Sequence, residues 1–305
     1  MMRVIYRGNL DGVVCAVILK EVGLCDEVKI VHPTDLQEGR IDITGEDIIC
    51  DLPYHPNCNM WFDHHSSELD KPNFPKEFTG VADVAPSAAG LVYKYFLPDF
   101  PELKKYEDLV YETDLIDSAQ LTQEQVMNPE GTFLLGFLLD SRTGLGYYKD
   151  FRINNFIWVN RVIDWLTQHS VLDILDMEDS VERIAKYREM QIVAERFYLD
   201  NSILDRNVII TDIREKKIPP GNRFLIYSLA GLAKGNISVR LASGKNGEFN
   251  MISVGYSIFV KTSNVHVGKI CQQYGGGGHK RAGTCQPSIE DTERIFKEII
   301  HACKD

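Results

Sequence analysis

Apolar and polar positions follow two regimes along this chain. Short apolar runs come first: "RVIY" (3–6), "VKIVH" (28–32), "DIIC" (47–50) and "NMWF" (59–62). Each has strand length and is bounded by polar or turn-forming residues. Between them, "GVVCAVILKEVG" (12–23) and "PSAAGLVYKYF" (86–96) read as helices, the second opened by Pro86 and Ser87. Strands alternating with helices predict a parallel sheet with helices on its faces. From about 102 to 200 the pattern is mostly helical, and "VERIAKYREMQIVAERFYL" (181–199) has neither Gly nor Pro. Its length and charge predict a helix that connects two domains. Strand patterns then return in "VIIT" (208–211), "NISVRLA" (236–242) and "FNMISVGYS" (249–257), with the turn "SGKNGE" between the last two. Helices are expected over 222–233, 264–274 and 288–302. The predicted fold class is α/β: a parallel-sheet domain with flanking helices over 1–178, a linker helix over 179–203, and a smaller α/β domain over 204–305.

Bulk properties narrow the function. With 305 residues, 44% apolar and 25% charged, the chain has an ordinary globular balance. No apolar run reaches the roughly 20 residues of a membrane span, and the apolar run in "MMRVIYRGNLDG" is too short for a signal peptide. A cytoplasmic location is the expectation. The seven cysteines form no C-x-x-C pair, which argues against a disulfide framework and a cysteine zinc site. A net charge of −11 makes the chain a poor binder of long duplex nucleic acid. A small anionic ligand remains compatible with it if cations and a local basic cluster supply positive charge.

Several acidic and imidazole side chains follow predicted strands, where open parallel sheets bind ligands. Asp11 opens the first helix, Asp51 follows "DIIC", and Asp63, His64 and His65 follow "NMWF". Asp114 and Asp117 lie in "YETDLIDS". Taken singly, Asp11 could cap a helix, Asp51 could form a turn, and Asp114 could sit on a solvated face. Gathered at one sheet edge, carboxylate and imidazole suit Mn²⁺ or another transition metal, whereas Mg²⁺ prefers all-oxygen ligation. His55 and Cys58 lie nearby in "LPYHPNCNMWF", where two prolines exclude a helix, and read as structural. The second region carries "CQQYGGGGHKRAGTC" (271–285), whose four glycines permit close backbone approach and can leave N–H groups for an anion. No G-K-[ST] ends it, so it is not a nucleotide P-loop. A flexible hairpin is the bland alternative. Tyr274, Tyr256 and Phe259 could stack a base or belong to the core, and Arg142 could reach the cleft or cap a helix end.

"FDHH" (62–65), preceded by a strand ending at Asp51 and followed by "GGGGHKRAG" (275–283), resembles the DHH phosphoesterase superfamily. It is similar, more narrowly, to the two-domain branch with a DHH-associated C-terminal domain. That branch includes short-oligonucleotide nucleases (nanoRNase-like) with 3′-phosphoadenosine-5′-phosphate phosphatase activity, cyclic-dinucleotide phosphodiesterases and exopolyphosphatase-related proteins. The resemblance implies a hydrolase of phosphoester bonds with Mn²⁺, one or two ions, Mg²⁺ or another divalent metal being the alternative. It implies Asp11, Asp51, His64 and Asp114 as metal ligands, with Asp117 as the other choice for the last. His65 would face the phosphate or move a proton, with Asp63 orienting the histidines. Arg240, Gly276, Gly277, Gly278, His279, Lys280 and Arg281 would hold substrate, with Arg142 as a further contact. A homodimer is part of the same expectation.

One motif departs from the family. Around "IYRGNLDG", Arg7 stands where a histidine is expected and Asn9 where the first aspartate is expected. Arginine cannot ligate a metal, and Asn9 has only a carbonyl oxygen to offer. Arg7 could instead neutralise the substrate phosphate, so it joins His65 and Asp63 among the catalytic candidates. The expected function is metal-dependent hydrolysis of small nucleotides or short oligonucleotides, at an altered site. A weak or silent nucleotide- or phosphate-binding protein, or a polyphosphate or pyrophosphate hydrolase, are the alternatives.

Overall fold

The computed structural model describes residues 1–244 and 247–304. Lys245 and Asn246 of the expected turn lie outside the described residues. The chain divides into two compact units, Met1–Gln120 with Pro129–Lys186, and Leu121–Asn128 with Tyr187–Asp305.

The first unit contains β1 (Arg3–Tyr6), α1 (Leu10–Glu21), β2 (Glu27–Ile30), α2 (Pro33–Gln37), β3 (Asp47–Cys50), β4 (Met60–Asp63), α3 (Ser66–Leu69), β5 (Gly80–Ala82), α4 (Ala88–Phe96) and α5 (Glu107–Asp117). The short α6 (Gln123–Met127) belongs to the second unit. The chain then returns for α7 (Gly131–Leu139), α8 (Asn155–Leu166) and α9 (Val171–Leu175), and leaves along α10 (Glu178–Asn201). Its five strands form one parallel sheet in the order β2-β1-β3-β4-β5. The central strands are buried on both faces, and Ile48, Ile49, Trp61 and Phe62 are fully buried. Because β1 lies between β2 and β3, successive crossovers leave it on opposite sides. The crevice at the carboxyl ends of β1 and β3 is therefore the switch point where such sheets bind ligands.

The stretch from Asp51 to Asn59 forms no helix, as its prolines require. It is pinned instead by Trp61, whose indole N–H donates to the Leu52 carbonyl at 2.9 Å. Tyr54 and Phe78 pack on the same indole, with ring centroids at 5.1 and 5.2 Å. Cys58 packs on this cluster, and His55 Nδ1 accepts from the Asn57 N–H.

The second unit holds β6 (Ser202–Asp205), β7 (Val208–Asp212), β8 (Ile237–Ser243), β9 (Asn250–Tyr256), α11 (Val267–Gln272), β10 (Gly277–Gly278), β11 (Ala282–Cys285) and α12 (Thr292–Cys303). Its mixed sheet has the order β10-β11-β9-β8-β7-β6, with only β7 and β8 parallel. The helix expected over 222–233 does not form. Asn222 takes the Phe224 N–H on its side chain, only a 3₁₀ turn follows over Leu225–Tyr227, and Gly231 sits at φ 86°. Among the described residues, no helix is long and apolar enough to cross a membrane.

Candidate metal and phosphate site

Four connections of the first sheet deliver the site. After β1, Arg7 leads to Asn9, which caps α1: its Oδ1 accepts the Gly12 N–H at 2.9 Å. The amide of the same side chain donates to Asp51 Oδ2 at 2.9 Å. These two bonds fix the amide's orientation, since Gly12 needs an acceptor and Asp51 a donor. The Asn9 carbonyl oxygen is thus already engaged by the cap, with one lone pair left to offer an ion. An ideal Cβ at Gly12 would lie 2.2 Å from the Arg7 carbonyl oxygen, so glycine is required after Asp11.

Asp11 sits in the first turn of α1 and is buried. The first amides of α4 hold its carboxylate: Ala88 N donates at 3.0 Å and Ala89 N at 2.6 Å. Asp51 follows β3 with φ 54°, a left-handed conformation rare outside glycine and asparagine. From β4, His64 donates its Nδ1–H to the Ala85 carbonyl at 3.1 Å and so points Nε2 inward. His65 donates its Nδ1–H to Asp63 at 2.9 Å.

His64 Nε2 is the hub. It lies 3.3 Å from Asp117 Oδ2, 3.5 Å from Asp51 Oδ1 and 3.6 Å from Asp11 Oδ2. His65 Nδ1 is 3.6 Å from Asp51, and an Arg7 Nη lies 4.0 Å from Asp51 Oδ1. Asp117, rather than Asp114, is the α5 carboxylate at the hub. Asp114 accepts the Ser87 hydroxyl behind it, against Gly90 of α4.

The electrostatics follow from this crowding. Burial raises the Asp11 pKa, and Asp51 and Asp117 raise it further. Burial also opposes ionisation of Asp51, but His64, Arg7 and His65 outweigh it and hold its pKa low. Burial opposes charging of His64, yet Asp51, Asp11 and Asp117 push its pKa up to about 10. Burial raises the Asp63 pKa despite His65.

A divalent ion fits this arrangement. Asp51 Oδ1 and His64 Nε2 are buried without a hydrogen-bond partner, a state that an ion relieves. Two ligands each about 2.1 Å from one ion lie about 3.0–3.5 Å apart at the usual angles, and the hub distances are 3.3 to 3.6 Å. Two overlapping groups qualify, Asp11–His64–Asp117 and Asp51–His64–His65.

Arg142 is tied to this unit's site loops, because Ser141 N donates to the Gly8 carbonyl. Its guanidinium binds Asp140 at 2.8 Å. Burial opposes its charge, but Asp140, Asp117 and Asp51 raise its pKa.

The second unit encloses a separate cavity of about 740 Å³. Arg240 on β8, Arg223, Tyr198, Tyr227, Gly277 and Gly278 are among its lining, and no carboxylate is. Among the described residues, Arg240 makes no side-chain hydrogen bond or ion pair. The glycine run is not an open loop of free amides. Gly275 N donates to the Gln272 carbonyl and Gly276 N to the Cys271 carbonyl. Gly277 and Gly278 form β10, half of a hairpin. Gly276 is a packing glycine, since a Cβ there would lie 2.0 Å from the Thr284 carbonyl oxygen. His279, Lys280 and Arg281 sit exposed at the hairpin turn, outside the cavity lining. Tyr256, Tyr274 and Phe259 belong to the core or pack against it. The aromatic rings that do line the cavity, Tyr198 and Tyr227, went unnoticed because nothing in their local pattern separates them from core positions.

Protein-family models give no match to the chain, and neither do the curated proteins. Solved structures do. The chain is similar to the pGpG-specific phosphodiesterase PggH from Vibrio cholerae, with 37% identity over 99% of this chain and 98% of that one, at a TM-score of 0.81. RecJ from Thermus thermophilus, in complex with Mn²⁺, matches at 12% identity over 98% of this chain and 52% of that one, at a TM-score of 0.46. CDC45 from Entamoeba histolytica matches at 11% identity over 99% and 95%, at a TM-score of 0.43. The chain belongs to the DHH phosphoesterase superfamily, in the two-domain branch, and is a phosphoesterase.

Proposed function

We propose that the chain is a divalent-metal-dependent phosphodiesterase acting on a short linear dinucleotide of the pGpG kind. The carrying observation is the convergence of orphaned Asp51 Oδ1 and His64 Nε2 with Asp11 and Asp117. In this reading Asp11, Asp51, His64 and Asp117 hold one ion, and Mn²⁺ suits their mixed oxygen and nitrogen donors. Bound there, the ion acidifies water and offsets phosphate charge. Asn9 and Arg7 favour a one-ion site. Asn9 brings a neutral oxygen already shared with the α1 cap where a carboxylate would hold a second ion, and Arg7 brings a fixed cation beside Asp51.

The chain's own groups supply the rest. Asp63 holds His65 Nδ1–H, leaving its Nε2 to carry a proton to the departing 3′-oxygen. The Arg7 guanidinium grips a phosphate oxygen, and Arg142 adds positive charge to the same side. The second unit's own cavity, with Arg240 beside Tyr198 and Tyr227, has the chemistry to take an anion and an aromatic ring. Hydrolysis of the P–O3′ bond of pGpG by water gives two GMP. The seven cysteines, none in a disulfide, suit a reducing cytoplasm.

The test is turnover of pGpG with Mn²⁺, by wild type and His64→Ala, beside a panel of longer oligonucleotides, 3′-phosphoadenosine-5′-phosphate, pyrophosphate and polyphosphate. His64-dependent GMP release from pGpG is expected. The enzyme reading is sunk if no phosphoester shows His64-dependent turnover, and a preference for polyphosphate would replace the substrate class.

A further inference from the structure

We propose that Asp140 is a positioning residue for the phosphate grip: it holds Arg142 by one edge of its guanidinium and leaves the rest open to a substrate phosphate. This deepens the phosphodiesterase reading above and rests on it. Asp140 closes α7, its N–H donating to the Gly136 carbonyl at 3.0 Å. At Gly136, one turn back, an ideal Cβ would lie 3.0 Å from Ile116 Cδ1 and 3.4 Å from Leu10 Cδ2. Those two residues directly precede Asp117 and Asp11. The end of α7 is thus seated on the helices that carry two of the ligands.

Asp140 takes three bonds from one residue. Its Oδ1 accepts the Arg142 backbone N–H at 2.8 Å, and the Arg142 Nε–H reaches its two oxygens at 2.8 and 3.0 Å. An arginine–carboxylate pair is often bidentate through two nitrogens. Here Nε alone takes both oxygens and, among the described residues, every Nη donor of Arg142 stays uncommitted. The Arg142 side chain keeps 36% exposure and that of Asp140 only 13%, so the grip is open and its support is covered. Between them, the Ser141 N–H donates to the carbonyl of Gly8, the neighbour of Arg7. Asp117 and Asp51 both act on the Arg142 charge, which therefore lies in the field of the hub. A free arginine side chain loses rotamer freedom when it binds. Asp140 removes that freedom beforehand.

A mutant cycle tests this, with kcat and KM read separately on pGpG, or on whichever phosphoester of the panel the wild type turns over in a His64-dependent way. Arg142→Ala should raise KM about 30-fold, with a smaller change in kcat. Asp140→Ala should raise KM about tenfold, and in an Arg142→Ala background it should change KM by less than about twofold. Asp140→Asn keeps an acceptor oxygen and should stay within about threefold of the wild type. Calorimetry of the same ligand on the His64→Ala chain repeats the cycle without turnover and should show the same ratios. Lost folding alone would lower kcat through the active fraction and leave KM unchanged. Removing a mere counter-ion would lower KM, because its charge repels the phosphate. An unchanged or lowered KM in Asp140→Ala, or a loss that multiplies with that of Arg142→Ala, would overturn the proposal and leave the phosphodiesterase reading intact. A wild type without His64-dependent turnover on any phosphoester would sink that reading and this proposal with it.

Discussion

Asn9→Asp puts the altered first motif to a quantitative test. The two side chains are isosteric, and aspartate caps a helix as well as asparagine, so α1 keeps its start. What changes is the atom 2.9 Å from Asp51 Oδ2, which turns from a donor N–H into a second carboxylate oxygen. Both groups are buried, with Asn9 5% and Asp51 1% exposed. Two unit charges at that separation repel by about 6 kcal/mol at an effective dielectric of about 20. Protonating one carboxyl relieves this. At pH 7, loading a proton onto a group of normal pKa near 3.9 costs about 4 kcal/mol, so the penalty settles near that value. Without metal, the first thermal transition should therefore fall by about 8–16 °C at pH 7. The folded variant holds a proton that the unfolded chain lacks. The deficit thus shrinks by about 1.4 kcal/mol per pH unit as pH falls, and vanishes below the unfolded pKa near 4. Adding Mn²⁺ should restore more stability to the variant than to the wild type. Scanning calorimetry in EDTA at pH 7 and pH 5, repeated with Mn²⁺, reads all three effects. A metal-free variant as stable as the wild type at pH 7 would show that Asn9 does not donate to Asp51. A deficit unchanged at pH 5 would show that charge repulsion is not its cause.

Asp117→Asn should lower pGpG turnover about 100-fold or more. Asp114→Asn keeps an acceptor oxygen for Ser87 and should lose about 1 kcal/mol of stability or less, and comparable losses of turnover in both would return Asp114 to the site. Asp47, fully buried at the start of β3, accepts two bonds from Arg3 and one from Thr44 N. Burial opposes its ionisation, but Arg3 and Thr44 hold its pKa below the usual carboxylate range. Its stabilisation is complete above the unfolded pKa and is lost as pH falls through the lower folded value. Asp47→Asn should thus cost about 2 kcal/mol at pH 7 and flatten the acid limb of the stability curve, as urea titrations from pH 2 to 7 would show. Gly278→Ala would place a Cβ 2.3 Å from the Ala282 carbonyl oxygen at φ 142°. It should cost more than about 2 kcal/mol and weaken protection of the β10–β11 amides in hydrogen exchange, whereas unchanged exchange would mean that the hairpin tolerates the shift.

The parallel sheet was legible because its strands are continuous apolar runs, each ending in a polar residue. "RVIY" and "DIIC" are β1 and β3 to the residue, and α1 begins and ends two residues earlier than expected, at Leu10 and Glu21. Four strands escaped, among them β5, three residues long and opened by Gly80 at φ 115°. β10 and β11 are rich in glycine, which carries no strand preference and pairs only because bulkier residues would not fit. β6 is a short edge strand whose "SILD" reads as part of a turn. At the site, "FDHH" announced itself by local density of chemistry. The choice between Asp114 and Asp117 depended on the rotation of α5. Asp117 follows buried Leu109 and Thr113 at spacings of four, but Asp114 follows buried Val110 at the same spacing, so the pattern alone does not separate them. The cavity around Arg240 was only partly foreseeable, because Arg223, Tyr198 and Tyr227 converge from separate segments.

The short connection from Ala85 to Ala89 contains no ligand, yet it governs two of them. Its first carbonyl selects the tautomer of His64, and two of its amides aim Asp11. A lineage could therefore lose catalysis by drift in this connection while every residue of the recognised signature stayed in place. In a survey of relatives, a broken 85–89 segment beside an untouched "DHH" would be the mark of a retired enzyme.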